Sequence, residues 1–115
     1  QLEDSSAGVP ILSVSLPASN QKIVRICGFV EELVVGDDPE YDWVDNFRTA
    51  RSSNDQRQMF FYTITGKIRR QIGRKAIDMG GNTVLGYNVH FDLEGDSVVA
   101  RGSGTVCVVR PRHEP

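Results

Sequence analysis

The stretch NDQRQMFFYTITGKIRRQIGRKAIDMGGNTVLGYNVHF, residues 54–91, decides the fold. It opens on Asn54, a residue type that caps helices by accepting a bond from a free backbone N–H. Its helical part closes on Gly80 and Gly81, which end helices readily because glycine tolerates the left-handed turn a helix stop requires. Between these signals, residues placed at about 100° intervals gather Phe60, Phe61, Ile64, Ile68, Ile72, Ala76 and Met79 into one stripe. The spacing predicts a helix over 54–79 with one face packed on a sheet. Beyond the glycines the period drops to two: Leu85, Tyr87, Val89 and Phe91 alternate with Gly86, Asn88 and His90, the pattern of a strand with one apolar face.

The flanking sequence supplies the rest of the sheet. LEGDS, residues 93–97, is a glycine-centred hairpin signal, and VVARGSGTVCVV, residues 98–109, reads as the returning strand. Upstream, IVRICGFVEELVV, residues 23–35, is rich in β-branched residues and forms a long strand in which Gly28 permits a bend or bulge. PILSVSLP, residues 10–17, alternates Leu12, Val14 and Leu16 against serine between two prolines, as an edge strand does. YDWVDNF, residues 41–47, reads as a short helix or a loop. The order is strand, long strand, long helix, hairpin, without a βαβα alternation or a repeat. The class is therefore α+β, a mainly antiparallel sheet packed by one long helix. Residues 1–8 read as a linker end, 9–110 as one domain and 111–115 as a polar tail.

Composition limits the function. In 115 residues, 39% hydrophobic and 24% charged, the chain has the make-up of one globular domain with one modest core. A net charge of −2 argues against a nucleic-acid binder, and no apolar run approaches a bilayer span. Cys27 and Cys107 are far apart and read as reduced, buried thiols. Neither they nor His90 and His113 form the close pairs that fix two zinc ligands on one turn, so no metal or cofactor is expected in this domain. DDPEYDWVD, residues 37–45, offers calcium-type oxygens without the EF-hand spacing. Ser103 in RGSGT lacks a nucleophile elbow, and the glycines Gly102 and Gly104 lie inside a strand rather than before a helix. They point to close backbone packing, and the chain is not expected to be an enzyme.

Charge and glycine placement point to association. Glu31, Glu32, Asp37, Asp38, Glu40, Asp42 and Asp45 form an acidic block, whereas Arg48, Arg51, Arg57, Lys67, Arg69, Arg70, Arg74 and Lys75 face a single acid, Asp55. Two solvated faces would explain this, and so would a head-to-tail contact that closes into a ring. On the helix, Tyr62, Gly66, Arg69, Gly73 and Ile77 fall on one flank away from the apolar stripe. Each interior glycine costs on the order of 1 kcal/mol against alanine, which close approach of another backbone would justify. The candidate interface is thus Tyr62, Gly66, Arg69, Arg70, Gly73, Arg74 and Ile77 with Glu31, Glu32, Asp37, Asp38 and Glu40.

GFVEELVVGDDPEY, GGNTVLGY, FDLEGD and the GSGT of the last strand together give the chain a resemblance over residues 24–109. It resembles the YbjQ-like family of small bacterial proteins described as heavy-metal-binding. Within that family it is most similar to copies embedded in a large eukaryotic C2-domain phosphoprotein of insulin-stimulated glucose-transporter vesicle traffic. The resemblance implies a compact α+β fold whose bacterial members form homopentameric rings, and it supplies no catalytic residue and no visible metal-ligand cluster. It further implies a non-catalytic assembly or interaction module of a vesicle-fusion protein, binding itself or a sister YbjQ-like domain. Calcium and phospholipid binding, and so membrane contact, belong to the parent's separate C2 domain, with the module cytoplasmic and peripheral to the vesicle or plasma membrane. The alternative is a homo-oligomeric metal or small-ligand carrier of the bacterial type.

Overall fold

The structure is a computed structural model. It describes residues 7–36, 54–94 and 97–112, with side chains for all of these except 54–61 and 93–94. The elements are β1 (Gln21–Gly36), α1 (Asn54–Asp78), β2 (Thr83–Glu94) and β3 (Ser97–Pro111). β3 lies between the other two and is antiparallel to both, giving the order β1-β3-β2. β1 and β2 are therefore parallel to each other, joined through α1 with β3 inserted between them, which is a split βαβ unit followed by a hairpin. The predicted α+β class holds, as does the order from the long strand onward, whereas the strand expected at residues 10–17 is not among the named elements. The segment 37–53, with its acidic run, short helix and candidate calcium ligands, lies outside the described residues, as does His113.

α1 covers one face of the sheet along the predicted stripe. Ile68, Ile72 and Ala76 are fully buried, Ile64 nearly so, and Met79 packs at the edge. They meet Val30 and Val34 of β1, Val84 and Tyr87 of β2, and Val98, Ala100 and Val106 of β3. The helix stops as its glycines require: Gly80 has φ +85°, its N–H donates to Ile77 O and the Gly81 N–H donates to Ala76 O, the paired bonds of a Schellman cap. Asn82 then completes the turn into β2. Its Oδ1 accepts from Val109 N at 2.9 Å and its Nδ2 donates to Val109 O at 3.0 Å, so the side chain stands in for a strand neighbour. The close packing expected at Gly102 and Gly104 is present: a Cβ at Gly102 would strike Ile68 Cγ2, and one at Gly104 would meet Val84 Cγ1 at 2.6 Å.

Two sequence expectations need correction, both for reasons of parity. Leu85 does not share a face with Tyr87, Val89 and Phe91. A register shift between Leu85 and Asn88, at Gly86 with φ +67°, inserts one residue and turns Leu85 to the far side, leaving Val84 to join the core. In the first segment Leu12, Val14 and Leu16 are exposed while Val9 and Ile11 are buried, so the inward face is the opposite one. The segment forms one parallel bridge, Ile11 to Val84, and not a full strand. Its backbone still closes the outer edge of β2 through Leu12 N to Val84 O, Val84 N to Pro10 O, Gly86 N to Val14 O and Tyr87 N to Leu12 O. The bulge expected at Gly28 is present, with φ +146° and a register shift between Ile26 and Gly28.

Candidate interaction surface

The helix covers only one side of the sheet. Directly opposed residues of an antiparallel pair share a face, so Phe29, Leu33 and Val35, opposite Thr105, Arg101 and Val99, all point away from α1. Ile23 and Ile26 join them, lining with Leu85, Thr105 and Cys107 a shallow cavity of about 170 Å³. On this open face Ile26 and Phe29 are each 67% exposed, Leu33 52% and Val35 51%. At the Ile23 and Ile26 end lies a second apolar cluster, of buried Leu85, Cys107 and Val109. The other end of the face is polar: Arg101 reaches Glu31 at 3.4 Å and Asp92 at 3.9 Å, and His90 is exposed opposite Arg101. The Glu31–Arg101 pair thus separates the apolar group of Ile23, Ile26 and Phe29 from Leu33 and Val35 further along the same face. β1 carries apolar residues on both faces, and that signal could have been read from its sequence.

The residues proposed for the helix flank separate into two groups. Tyr62 and Ile77 are more than half exposed, Arg70 and Arg74 are exposed, and at Gly66 the nearest atom a Cβ would meet is Arg70 Nη1 at 3.7 Å. Arg69 instead turns inward. Its guanidinium lies 5.3 Å from the centre of the Tyr87 ring, and Nη2 donates to Ile11 O at 3.5 Å. Gly73 is buried, which corrects its placement on an outward flank: neighbouring atoms already exclude water from a residue that has no side chain. The two charge blocks also meet within one chain, where Lys75 Nζ lies 2.5 Å from Glu32 Oε2. Glu31 is held by Arg101, while Asp37, Asp38 and Glu40 lie outside the described residues.

The described residues bring no reactive constellation together. Among them, no three of His, Cys, Asp and Glu could hold a metal ion. Cys27 and Cys107 are free thiols, the first half-buried and the second buried. Burial pushes the Cys107 thiol up, and the nearby Cys27 adds to this. Burial likewise raises Tyr87, with the Arg69 charge opposing. Among the described residues, Tyr87 Oη and Gln71 Oε1 are buried without a hydrogen-bond partner. Among the described residues, no helix is long and apolar enough to cross a membrane.

Among the described residues, a two-layer split βαβ unit with a hairpin, one helix and an apolar-bearing sheet face opposite that helix defines a class of small α+β domain. A solved structure of the same class is a protein of unknown function from the DUF74 family of Pediococcus pentosaceus. It aligns with a TM-score of 0.59 at 18% identity, covering 90% of this chain and 99% of that one, a likeness of fold alone. The model of the YbjQ-like domain of C2 domain-containing protein 5 matches residues 3–112, and the chain belongs to that family. The chain is 45% identical over 117 residues to C2 domain-containing protein 5 of Xenopus tropicalis, and 44% identical over 116 residues to that of Homo sapiens. All of this chain is covered in both, but it spans only 11% and 12% of their lengths.

Proposed function

We propose that this chain is a non-catalytic assembly or protein-interaction module of a C2-domain protein of vesicle traffic, acting by contact with itself or with another part of its parent chain. The observation that carries the reading is the open face of the sheet, where Ile26 and Phe29 stand exposed beside a buried cluster of Leu85, Cys107 and Val109, with Leu33 and Val35 exposed further along the same face. A surface of that kind stabilises a contact by burying apolar area, at about 25 cal/mol per Å² removed from water. Membership of a family whose relatives are roughly nine times longer supports a module serving a larger chain. In this reading the parent's C2 domain makes the calcium-dependent membrane contact, and the module works in the cytoplasm at the vesicle or plasma membrane.

Sedimentation velocity tests the reading, with the chain alone and mixed with the remainder of C2 domain-containing protein 5 supplied as a separate polypeptide. Association is expected in one of the two, and Ile26→Asp with Phe29→Asp should abolish it while the chain stays folded, because both side chains are largely exposed. If the chain binds neither itself nor the remainder of the parent, the reading fails.

A further inference from the structure

The outward face of α1 carries charge that nothing on it offsets. At about 3.6 residues per turn, Lys67, Arg70 and Arg74 fall within about 60° of one another along about 10 Å of the helix. All three are exposed. Their spacings, three and then four residues, are those at which like charges destabilise a helix and an opposite charge would relieve them. Among the described residues no such relief is present: the ion pairs join Lys75 to Glu32, and Arg101 to Glu31 and Asp92, and leave these three cations out. Asp78, the last residue of α1, is the only acid among the helix's described side chains. Tyr62 and Ile77, 56% and 53% exposed, flank the cations along the helix, one before and one beyond them.

We infer that this face of α1 rests on an anionic lipid bilayer, a membrane contact of the module's own that needs no calcium. It goes beyond the assembly reading. The helix and the open face lie on opposite sides of the sheet, so a bilayer beneath α1 leaves Ile26 and Phe29 free to meet a protein. Shape favours a plane of headgroups over an acidic protein: the face is the convex back of one helix, and the shallow cavity beside Ile23 and Ile26 lies across the sheet from it. A protein partner is gripped by complementary packing, whereas an anionic leaflet needs only cations held near it. Lys and Arg stems reach the headgroups while their methylenes lie with Ile77 at the apolar boundary, a depth that also suits Tyr62. The chain's net charge of −2 does not oppose this, since at physiological ionic strength charges beyond about 8 Å are largely screened. Three cations make a weak contact, and in a larger chain already held at a membrane a weak second contact multiplies the first.

Vesicle sedimentation in the presence of a calcium chelator tests this, with phosphatidylcholine vesicles and with vesicles of equal parts phosphatidylcholine and phosphatidylserine. The chain should sediment with the anionic vesicles at millimolar lipid and stay in solution with the neutral ones. Lys67→Gln/Arg70→Gln/Arg74→Gln should weaken that binding about tenfold or more. Arg70→Lys/Arg74→Lys should bind as wild type, because a leaflet reads charge, whereas carboxylates on a protein read the guanidinium fork. Circular dichroism checks the fold of each variant; if the triple variant loses its folded spectrum, Lys67→Gln and Arg74→Gln taken singly replace it, each weakening binding about fivefold. No binding to the anionic vesicles, equal binding to both kinds, a triple variant that binds as well as wild type, or a lysine variant that loses binding would overturn the inference. Capture by immobilised polyglutamate in place of vesicles would overturn it too, and would assign the face to an acidic protein. None of these outcomes bears on the assembly reading, whose test is association between protein chains.

Discussion

Replacing Gly102 by alanine tests how closely the helix rides on the sheet. The added methyl would collide with Ile68 Cγ2 and sit 3.4 Å from Ile72 Cδ1 and 3.5 Å from Tyr87 Cε1. Ile68 and Ile72 are fully buried, so neither has free space to retreat into. Forcing a methyl into such a core costs about 1–3 kcal/mol. Against this, alanine recovers about 0.5–1 kcal/mol that glycine loses in a strand through its larger unfolded-state entropy. The net expectation is a loss of roughly 1–2 kcal/mol in urea denaturation with an unchanged slope. Gly66→Ala is the control of opposite sign. With its nearest atom at an ordinary 3.7 Å it should gain about 0.5–1 kcal/mol from helix propensity alone. Ile68→Leu removes the offending branch methyl, so it should soften the Gly102→Ala penalty by about 0.5 kcal/mol or more in a double-mutant cycle. A neutral or stabilising Gly102→Ala, with no coupling to Ile68, would refute the close packing of α1 on β3.

Ile72→Ala, which truncates a fully buried side chain, should cost roughly 2–5 kcal/mol in the same denaturation assay. Gly73→Leu should lower thermal stability by many degrees rather than merely separate copies, because position 73 is buried; a folded, unshifted variant would show that space exists there. Stability should fall as pH rises above the ordinary thiol range, about 8.5, since the raised Cys107 keeps its proton in the fold while the unfolded thiol has already lost it. Cys107→Ala should flatten the early part of that decline, and an unchanged alkaline limb would count against Cys107 as its source. Treatment with a chelator should leave the melting temperature where it was, and a large drop would reveal a structural metal.

Much of the fold could be read from local chemistry. The stripe from Ile64 to Ala76, the stop at Gly80 and Gly81, the bend at Gly28 and the close packing at Gly102 and Gly104 each follow from a residue's own geometry or spacing. What escaped was parity and context. One residue inserted at Gly86 moved Leu85 across the sheet, and nothing in a two-residue period announces where it will slip. Likewise the alternation of Leu12, Val14 and Leu16 promised an inward face that Val9 and Ile11 occupy instead, because the β2 edge selected the register. On the helix, the wheel put Arg69 and Gly73 on an outward flank. Contact with neighbouring elements turned Arg69 inward, its guanidinium lying over the Tyr87 ring, while Gly73 is simply buried. The open apolar face was written in β1, whose inward and outward positions are both apolar.

The short parallel bridge at Ile11 has a consequence for how far strand addition can run. A sheet bare on both sides is a template without end, each added strand offering the next one its own free side, and cross-β fibres grow in this way. Here the chain from Pro10 to Val14 occupies one side itself, with Leu12 N and the Val84, Gly86 and Tyr87 amides already committed. That side of the sheet is thereby closed to an added strand. Loss of those first residues would bare the Val84, Gly86 and Tyr87 amides and offer that edge to the strand of another chain.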